Sequence, residues 1–228
     1  MTYRSGRIIE PELLDHESPE RAAPSLRDLV RINRLLGGHR VLREALAHCV
    51  RDGDSFTMLD VGSASGDAGE IVQRRYPAAR VTSLDYRAHH LGAAASGDRV
   101  LADAFRLPFA PRSFDIVYCG LFLHHFSNED VAGLLRAFGV TARRFVIAND
   151  LERHPLAYYF LPATRWLMRW DAVTCHDGPV SVQAGFSRSE LDGLARSAGL
   201  RNCKVRAYRP AFRLCLIAEP PALSGLTR

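Results

Sequence analysis

A six-residue apolar run, Phe56-Thr57-Met58-Leu59-Asp60-Val61, breaks abruptly into small residues, Gly62-Ser63-Ala64-Ser65-Gly66. A run this short, without polar alternation, reads as a strand buried on both faces, the kind found inside a parallel sheet. The same unit then recurs. Ala68 to Arg75 predicts a helix closed by Pro77, and Arg80 to Leu84 a strand ending at Asp85. Arg99 to Leu101 predicts a short strand followed by Asp103, Phe114 to Cys119 a fourth strand, Asn128 to Phe138 a helix, and Arg144 to Ala148 a fifth strand. Strand alternating with helix defines βαβ units and an α/β fold, a mostly parallel sheet with helices on both faces.

Two regions depart from this rhythm. Residues 153–186 concentrate aromatic side chains, and Leu156, Phe160, Ala163, Leu167 and Trp170 fall on one helical face. After a helix from Ser187 to Ala198 and the helix-stopping Gly199, strands Cys203 to Tyr208 and Phe212 to Ala218 are joined by only Arg209-Pro210-Ala211. So short a link predicts an antiparallel hairpin and excludes a helical crossover. At the other end, Pro11, Pro19 and Pro24 among many charges predict a loosely packed arm over residues 1–24. Leu26 to Leu36 predicts a helix stopped by Gly37-Gly38, and Val41 to Val50 a second.

With 228 residues, 47% hydrophobic and 24% charged, the chain has the makeup of one ordinary globular domain with an appended cap. No apolar run reaches the roughly 18–20 residues of a membrane span, and no signal-peptide core follows the polar start. Five scattered cysteines, none in a CxxC pair, argue against a disulfide framework and a zinc site. A cytoplasmic protein with reduced thiols is expected. The net charge is +5, yet the basic residues are dispersed and interleaved with acids, so no nucleic-acid track is expected.

In open parallel sheets ligands bind beyond the carboxyl ends of the strands, where strand order reverses. The first strand leads into Asp60-Val61-Gly62-Ser63-Ala64-Ser65-Gly66, the second into Asp85-Tyr86, the third into Asp103-Ala104, and the fourth into Gly120-Leu121-Phe122-Leu123-His124-His125. A dinucleotide loop would need glycines at 62, 64 and 67, where the chain has Gly62, Ala64 and Asp67. No GK[ST] element exists for a phosphate loop, and the short-chain reductase pair fails because Lys204, the only lysine, has Leu200 four residues before it. A nucleoside without a phosphate chain fits better. A carboxylate at Asp85, 23 residues after Gly62, accepts from ribose hydroxyls, and Asp103 from an adenine amine. Carboxylates favour a cationic ligand and would repel phosphates.

The segments DVGSASGD, SLDY, ADAFRLPFAPRSFDIV and YCGLFLHHF resemble the successive motifs of class I S-adenosylmethionine-dependent methyltransferases, quinone-type and small-molecule branch, over about Phe56 to Asn149. The resemblance implies a Rossmann-like, mostly parallel seven-stranded sheet with a C-terminal antiparallel hairpin, and S-adenosyl-L-methionine as cofactor. It implies cofactor contacts at Asp60, Gly62, Ser63, Ala64, Gly66, Asp85, Tyr86, Asp103, Ala104, Cys119 and Leu121. Ala64 stands where the motif usually has its middle glycine. The flanks DLVRINRLLGGHRVLREAL and HDGPVSVQAGFSRSELDGLARSAGL look like bacterial enzymes that methylate polyketide-like or quinone-like products of secondary metabolism. The expected organisation is an N-terminal arm with helices over 1–52, serving as an acceptor-side cap, and a methyltransferase domain over 53–228 with an aromatic insert at about 153–186.

The expected activity is methyl transfer to oxygen or carbon of a small aromatic, polyketide-like or quinone-like acceptor. The alternatives are an RNA or protein methyltransferase, for which the Asp/Asn-Pro-Pro-Tyr/Phe element of amino methylation is missing after the fourth strand, and a non-catalytic cofactor-binding subunit. Losing an acceptor proton calls for a base near neutrality, so His124, His125 and His176 are the catalytic candidates, with Asp150 a further one. No metal site is expected. The aromatic insert with Arg153, Arg165 and Arg169 also has the composition for peripheral contact with a membrane surface.

Overall fold

Alternate residues of β1 (Thr57–Val61) point to opposite faces of the sheet, and both faces are covered. This arrangement comes from a computed structural model that describes residues 2–64, 66–88, 91 and 97–222. Leu59 and Val61 join one core with Val117, Leu134 and Phe138, while Met58 joins the other with Leu42, Leu46, Val72 and Ile116. That two-sided burial explains why the strand reads as an unbroken apolar run. Asp60 is the exception within it, a buried acid one residue before the carboxyl end of the strand.

Around β1 the sheet adds β2 (Arg80–Asp85), β3 (Asp98–Leu101), β4 (Phe114–Gly120), β5 (Ala142–Leu151), β6 (Arg201–Tyr208) and β7 (Arg213–Glu219), in the order β3-β2-β1-β4-β5-β7-β6. β3 to β5 run parallel, and β7 pairs antiparallel with both β5 and β6. The expected seven-stranded sheet with a terminal hairpin is therefore present. Strand order reverses between β1 and β4, so the crevice at their carboxyl ends is where a ligand fits.

The described helices are α1 (Pro19–Leu35), α2 (Gly38–Cys49), α3 (Asp67–Arg75), α4 (Asn128–Thr141), α5 (Pro155–Met168), α6 (Ala172–Ala184) and α7 (Arg188–Ser197). Their ends have local causes. Ser127 accepts the Asp130 N–H at the start of α4, and Ser187 with Glu190 forms a capping box on α7. Val131, Leu134, Leu135 and Phe138 then place one face of α4 in the core.

Two expectations are corrected. Residues 1–24 are not a loose arm. Pro19 sits in the first turn of α1, where a missing N–H costs nothing, and α1 continues through Pro24. Ahead of it, Arg7 donates to the carbonyls of Ala184, Leu123, His124 and Phe126, and Asp177 accepts the N–H groups of Leu13 and Leu14. These partners lie more than 100 residues away, beyond the reach of local patterning.

The apolar face expected over residues 156–170 is also wrong. The insert is two helices, and Tyr158 and Leu161 face inward. Leu156, Ala163 and Leu167 point outward with Trp166, which is 93% exposed, while Phe160 borders the cavity. The chain turns at Arg169, in the left-handed region, so Trp170 packs back on α1 beneath the Arg31 guanidinium.

Candidate active site

The rim at the end of β1 is built from backbone. Gly62 lies at φ +66, and a Cβ there would meet the Phe122 ring at 2.3 Å, so only glycine fits. The N–H groups of Gly62 and Ser63 both donate to the Leu84 carbonyl, at 2.9 and 3.1 Å, binding the loop to β2. Ala64 adopts φ +43, and its N–H donates to Asp85 Oδ2 at 3.1 Å. Gly66, at φ +70, makes the turn into α3 without lining the cavity. Ser65 lies outside the described residues.

Asp85 has a double role in this loop. Oδ2 clamps Ala64, while Oδ1 accepts the Arg87 N–H at 2.9 Å. The same side chain lines the cavity between Leu84 and Tyr86. Tyr86 is exposed at the mouth, its hydroxyl accepting from Arg87 Nε at 2.6 Å. Asp103 is exposed and caps the short helical turn 104–106 by accepting the Phe105 N–H, and it lines the same cavity with Ala104.

Asp60 is fully buried, and its Oδ2 finds no hydrogen-bond partner among the described residues; nor does the Ser63 hydroxyl beside it. Burial, reinforced by the nearby charges of Asp67 and Asp85, pushes the Asp60 carboxyl well above the usual carboxylate range. Such a crowd of carboxyl groups with orphaned acceptors suits a ligand that brings positive charge and donors.

All of these groups open into one cavity of about 860 Å³. Its apolar walls are lined by Leu29 and Ile32 of α1, Leu36 just past that helix, Phe160 and Leu161 of α5, and Phe122 and Phe126. Into this apolar wall the turn after β4 brings His124 and His125, their rings 4.2 Å apart. Asp150, at the end of β5, faces His124 Nδ1 at 2.7 Å and accepts the Phe122 and Leu123 N–H groups. From the opposite side comes Glu12, whose Oε1 lies 3.7 Å from His124 Nε2 and 3.9 Å from His125 Nδ1. Ser181 donates its hydroxyl to the same oxygen.

The electrostatics of this trio are self-consistent. Burial would lower the pKa of His124, but the charge and hydrogen bond of Asp150, together with Glu12, raise it to about 9. Burial would raise Glu12, but the hydrogen bond from His124 and the charges of His125 and His124 outweigh it and hold the carboxyl at about 2. His124 is thus an imidazolium between two carboxylates at neutral pH. The ligand atoms of Glu12, His124 and His125 all lie within 4.8 Å of one another, a donor set that also suits a divalent cation, where no metal site was expected.

Not every residue singled out in the sequence reaches the cavity. Leu121, at φ +52, lines it, but Cys119 is buried in the core because its side chain points to the sheet face opposite Tyr118. His176 turns away from the lining and pairs with Asp177 Oδ1 at 2.9 Å. In its place Asp177 faces inward and fastens the arm. Glu12 and the buried Arg213 were missed. Glu12 falls in the segment expected to be a loose arm, and Arg213 reads as the second residue of the terminal strand Phe212 to Ala218.

Comparisons with known proteins bear on the domain and the fold. Residues 59–139 match the family model described as a methyltransferase domain, Methyltransf_11. A demethylmenaquinone methyltransferase of Thermotoga maritima is 27% identical over 104 residues, 43% of this chain and 45% of that protein, so the match spans less than half of that curated relative. Human N-acetylserotonin methyltransferase, solved with S-adenosylmethionine, superposes with a TM-score of 0.63 at 16% identity, covering 92% of this chain and 58% of that one. A methyltransferase from Aquifex aeolicus gives 0.62 at 14% identity, covering 85% and 96%. The fold and the matched domain are similar to those of class I S-adenosylmethionine-dependent methyltransferases, enzymes whose cofactor is S-adenosylmethionine. Among the described residues no helix is long and apolar enough to cross a membrane.

Proposed function

We propose that this chain transfers a methyl group from S-adenosylmethionine to an oxygen or carbon nucleophile of a small, flat, lipophilic acceptor. One observation carries the reading: a single cavity has a carboxylate-lined nucleoside rim at one end and a Glu12–His124–His125 cluster in an apolar wall at the other. Similarity to a demethylmenaquinone methyltransferase supports a quinone-like acceptor. In this reading Asp85 holds the ribose, Asp103, Ala104 and Tyr86 border the adenine, and Asp60 with Gly62, Ser63 and Ala64 faces the amino-acid part. Residues 1–52 and the helices of 153–186 form the acceptor-side cap over a domain spanning 53–228. Unpaired cysteines, four of them buried, support a cytoplasmic location.

The bound cofactor supplies a methyl group already activated on a cationic sulfur, so the residues of this chain chiefly position and deprotonate the acceptor. His125 is the base. It is the more open of the two histidines, with a side chain 33% exposed against 4% for His124, and the Glu12 carboxylate facing its Nδ1 stabilises the imidazolium that forms on proton uptake. His124 is a positioning residue: locked by Asp150, it stacks beneath His125 and holds Glu12 in place. Apolar walls exclude water around the nucleophile.

The test uses the purified protein, labelled S-adenosylmethionine and hydroxylated aromatic or reduced quinone acceptors. Replacing His125 with asparagine should lower turnover about 10²–10⁴-fold and remove the acid limb of the pH–rate profile, with cofactor affinity unchanged. Normal turnover by that variant would discard the base assignment. A wild-type protein that takes up no cofactor would discard the activity itself.

A further inference from the structure

Arg213 opens β7 inside the molecule. Its relative exposure is 1%, it lines the cavity, and it is the largest fully buried side chain described. A guanidinium carries five donors, yet this one makes a single hydrogen bond, from Nη2 to Asn33 Oδ1 at 3.3 Å. Nη1 has no partner among the described residues, and no carboxylate there forms an ion pair with the group. A buried charge left this bare is costly, and folded proteins keep one only where something completes it. Its position indicates what that is. Arg213 pairs across the sheet with Leu151, next to Asp150 at the end of β5, and its partner Asn33 donates to Asp67 Oδ2 at 3.4 Å beside the Gly62 loop, so it stands between the acceptor end and the cofactor end. Burial depresses its pKa, but a guanidinium stays charged far above neutrality.

We infer that Arg213 is an oxyanion-recognising residue of this cavity: its free Nη1 edge receives a carboxylate or an ionised acceptor oxygen when the site fills. The inference rests on the reading of the cavity as a methyltransferase site for the source of that oxyanion, but not for its existence. Two sources share this chemistry, the amino-acid carboxylate of the cofactor and the deprotonated oxygen of the acceptor.

The experiment compares wild type with Arg213→Met and Arg213→Lys in three measurements. The first is unliganded thermal stability. Methionine in place of an unpaired buried charge should leave the melting temperature unchanged or raise it, whereas a structural arginine would lower it. The second is calorimetric affinity for S-adenosylmethionine and for its decarboxylated analogue. If the cofactor supplies the oxyanion, wild type prefers the intact compound about ten- to a hundredfold, and R213M loses that preference. The third is acceptor kinetics. If the acceptor supplies it, R213M keeps its cofactor affinity and KM for the acceptor rises by a similar factor, with R213K intermediate because lysine lacks the planar fork. Should wild type bind neither adenosyl compound, the methyltransferase reading fails, and benzoate titration then tests Arg213 directly: binding present in wild type and absent in R213M upholds it. Folded R213M matching wild type in every ligand measurement overturns the proposal, as does failure of R213M to fold combined with an R213K protein whose affinities are unchanged.

Discussion

At the scale of single residues, the site is held by a few backbone conformations and buried charges. Ala64 adopts φ +43, a region that L side chains enter at a cost of about 1–2 kcal/mol and that glycine enters freely. Ala64→Gly should therefore stabilise the protein by about 0.5–1 kcal/mol after the entropy of glycine is deducted, measurable by urea denaturation. A loss of stability would mean that the alanine methyl is packed usefully. The His124 pair makes a second prediction. His124 rises from 6.5 to about 9 on folding, so its contribution is complete below 6.5 and disappears as pH climbs through about 9. Glu12 falls from 4.5 to about 2, so its contribution is complete above 4.5 and disappears as pH drops through about 2. The contact is at full strength between these windows. Melting temperature followed against pH should show an alkaline loss in wild type that is missing in His124→Asn. The acids at 60, 85 and 103 were legible in the sequence because strand ends and turn residues are local signals. Glu12 was not, since nothing near it announces two histidines more than 100 residues away.

At the scale of elements, α5 shows how a periodic pattern misleads. The spacing of Leu156, Phe160, Ala163 and Leu167 is genuine helical periodicity, and the helix exists. Periodicity identifies a face but not its direction. Here α5 is anchored by Tyr158 and Leu161 against its neighbours, and the Arg169 turn brings Trp170 inward while Trp166 and Leu167 remain 93% and 83% exposed. Glutamate at both 166 and 167 should accordingly change stability by no more than about 0.5 kcal/mol per site, whereas Leu161→Ala should cost about 2–5 kcal/mol. Chemical denaturation of the two variants decides it, and a large loss in the glutamate pair would mean that the stripe is covered in solution. The strands were read more securely. Burial on both faces removes the ambiguity of direction for β1, β2, β4 and β5, which lie within a few residues of their expected positions, as does the exposed β3.

At the scale of the whole molecule, two sets of elements meet across one cavity. The sheet and its loops supply the acidic, small-residue rim, while residues before β1 and after β5 supply further walls of the same cavity. Removing residues 2–12 takes away Arg7 and Glu12 but none of the rim. Cofactor affinity should stay within about threefold, and acceptor turnover should fall at least about tenfold. Calorimetry with the cofactor beside a methyl-transfer assay separates the two effects, and equal losses in both would show that the arm holds the rim as well. The sequence by itself determined the α/β class, the seven strands with one reversed strand in the terminal hairpin, and the acidic, small-residue rim. Each of these follows from short-range causes: apolar run length, turn chemistry, and a link too brief for a crossover. Only the tertiary structure decided that the prolyl arm packs, that Glu12 rather than His176 completes the histidine cluster, and that Arg213 is buried in the cavity wall. Those outcomes depend on contacts between segments far apart in the chain, where long-range packing and charge pairing override the local preferences that a linear reading can see.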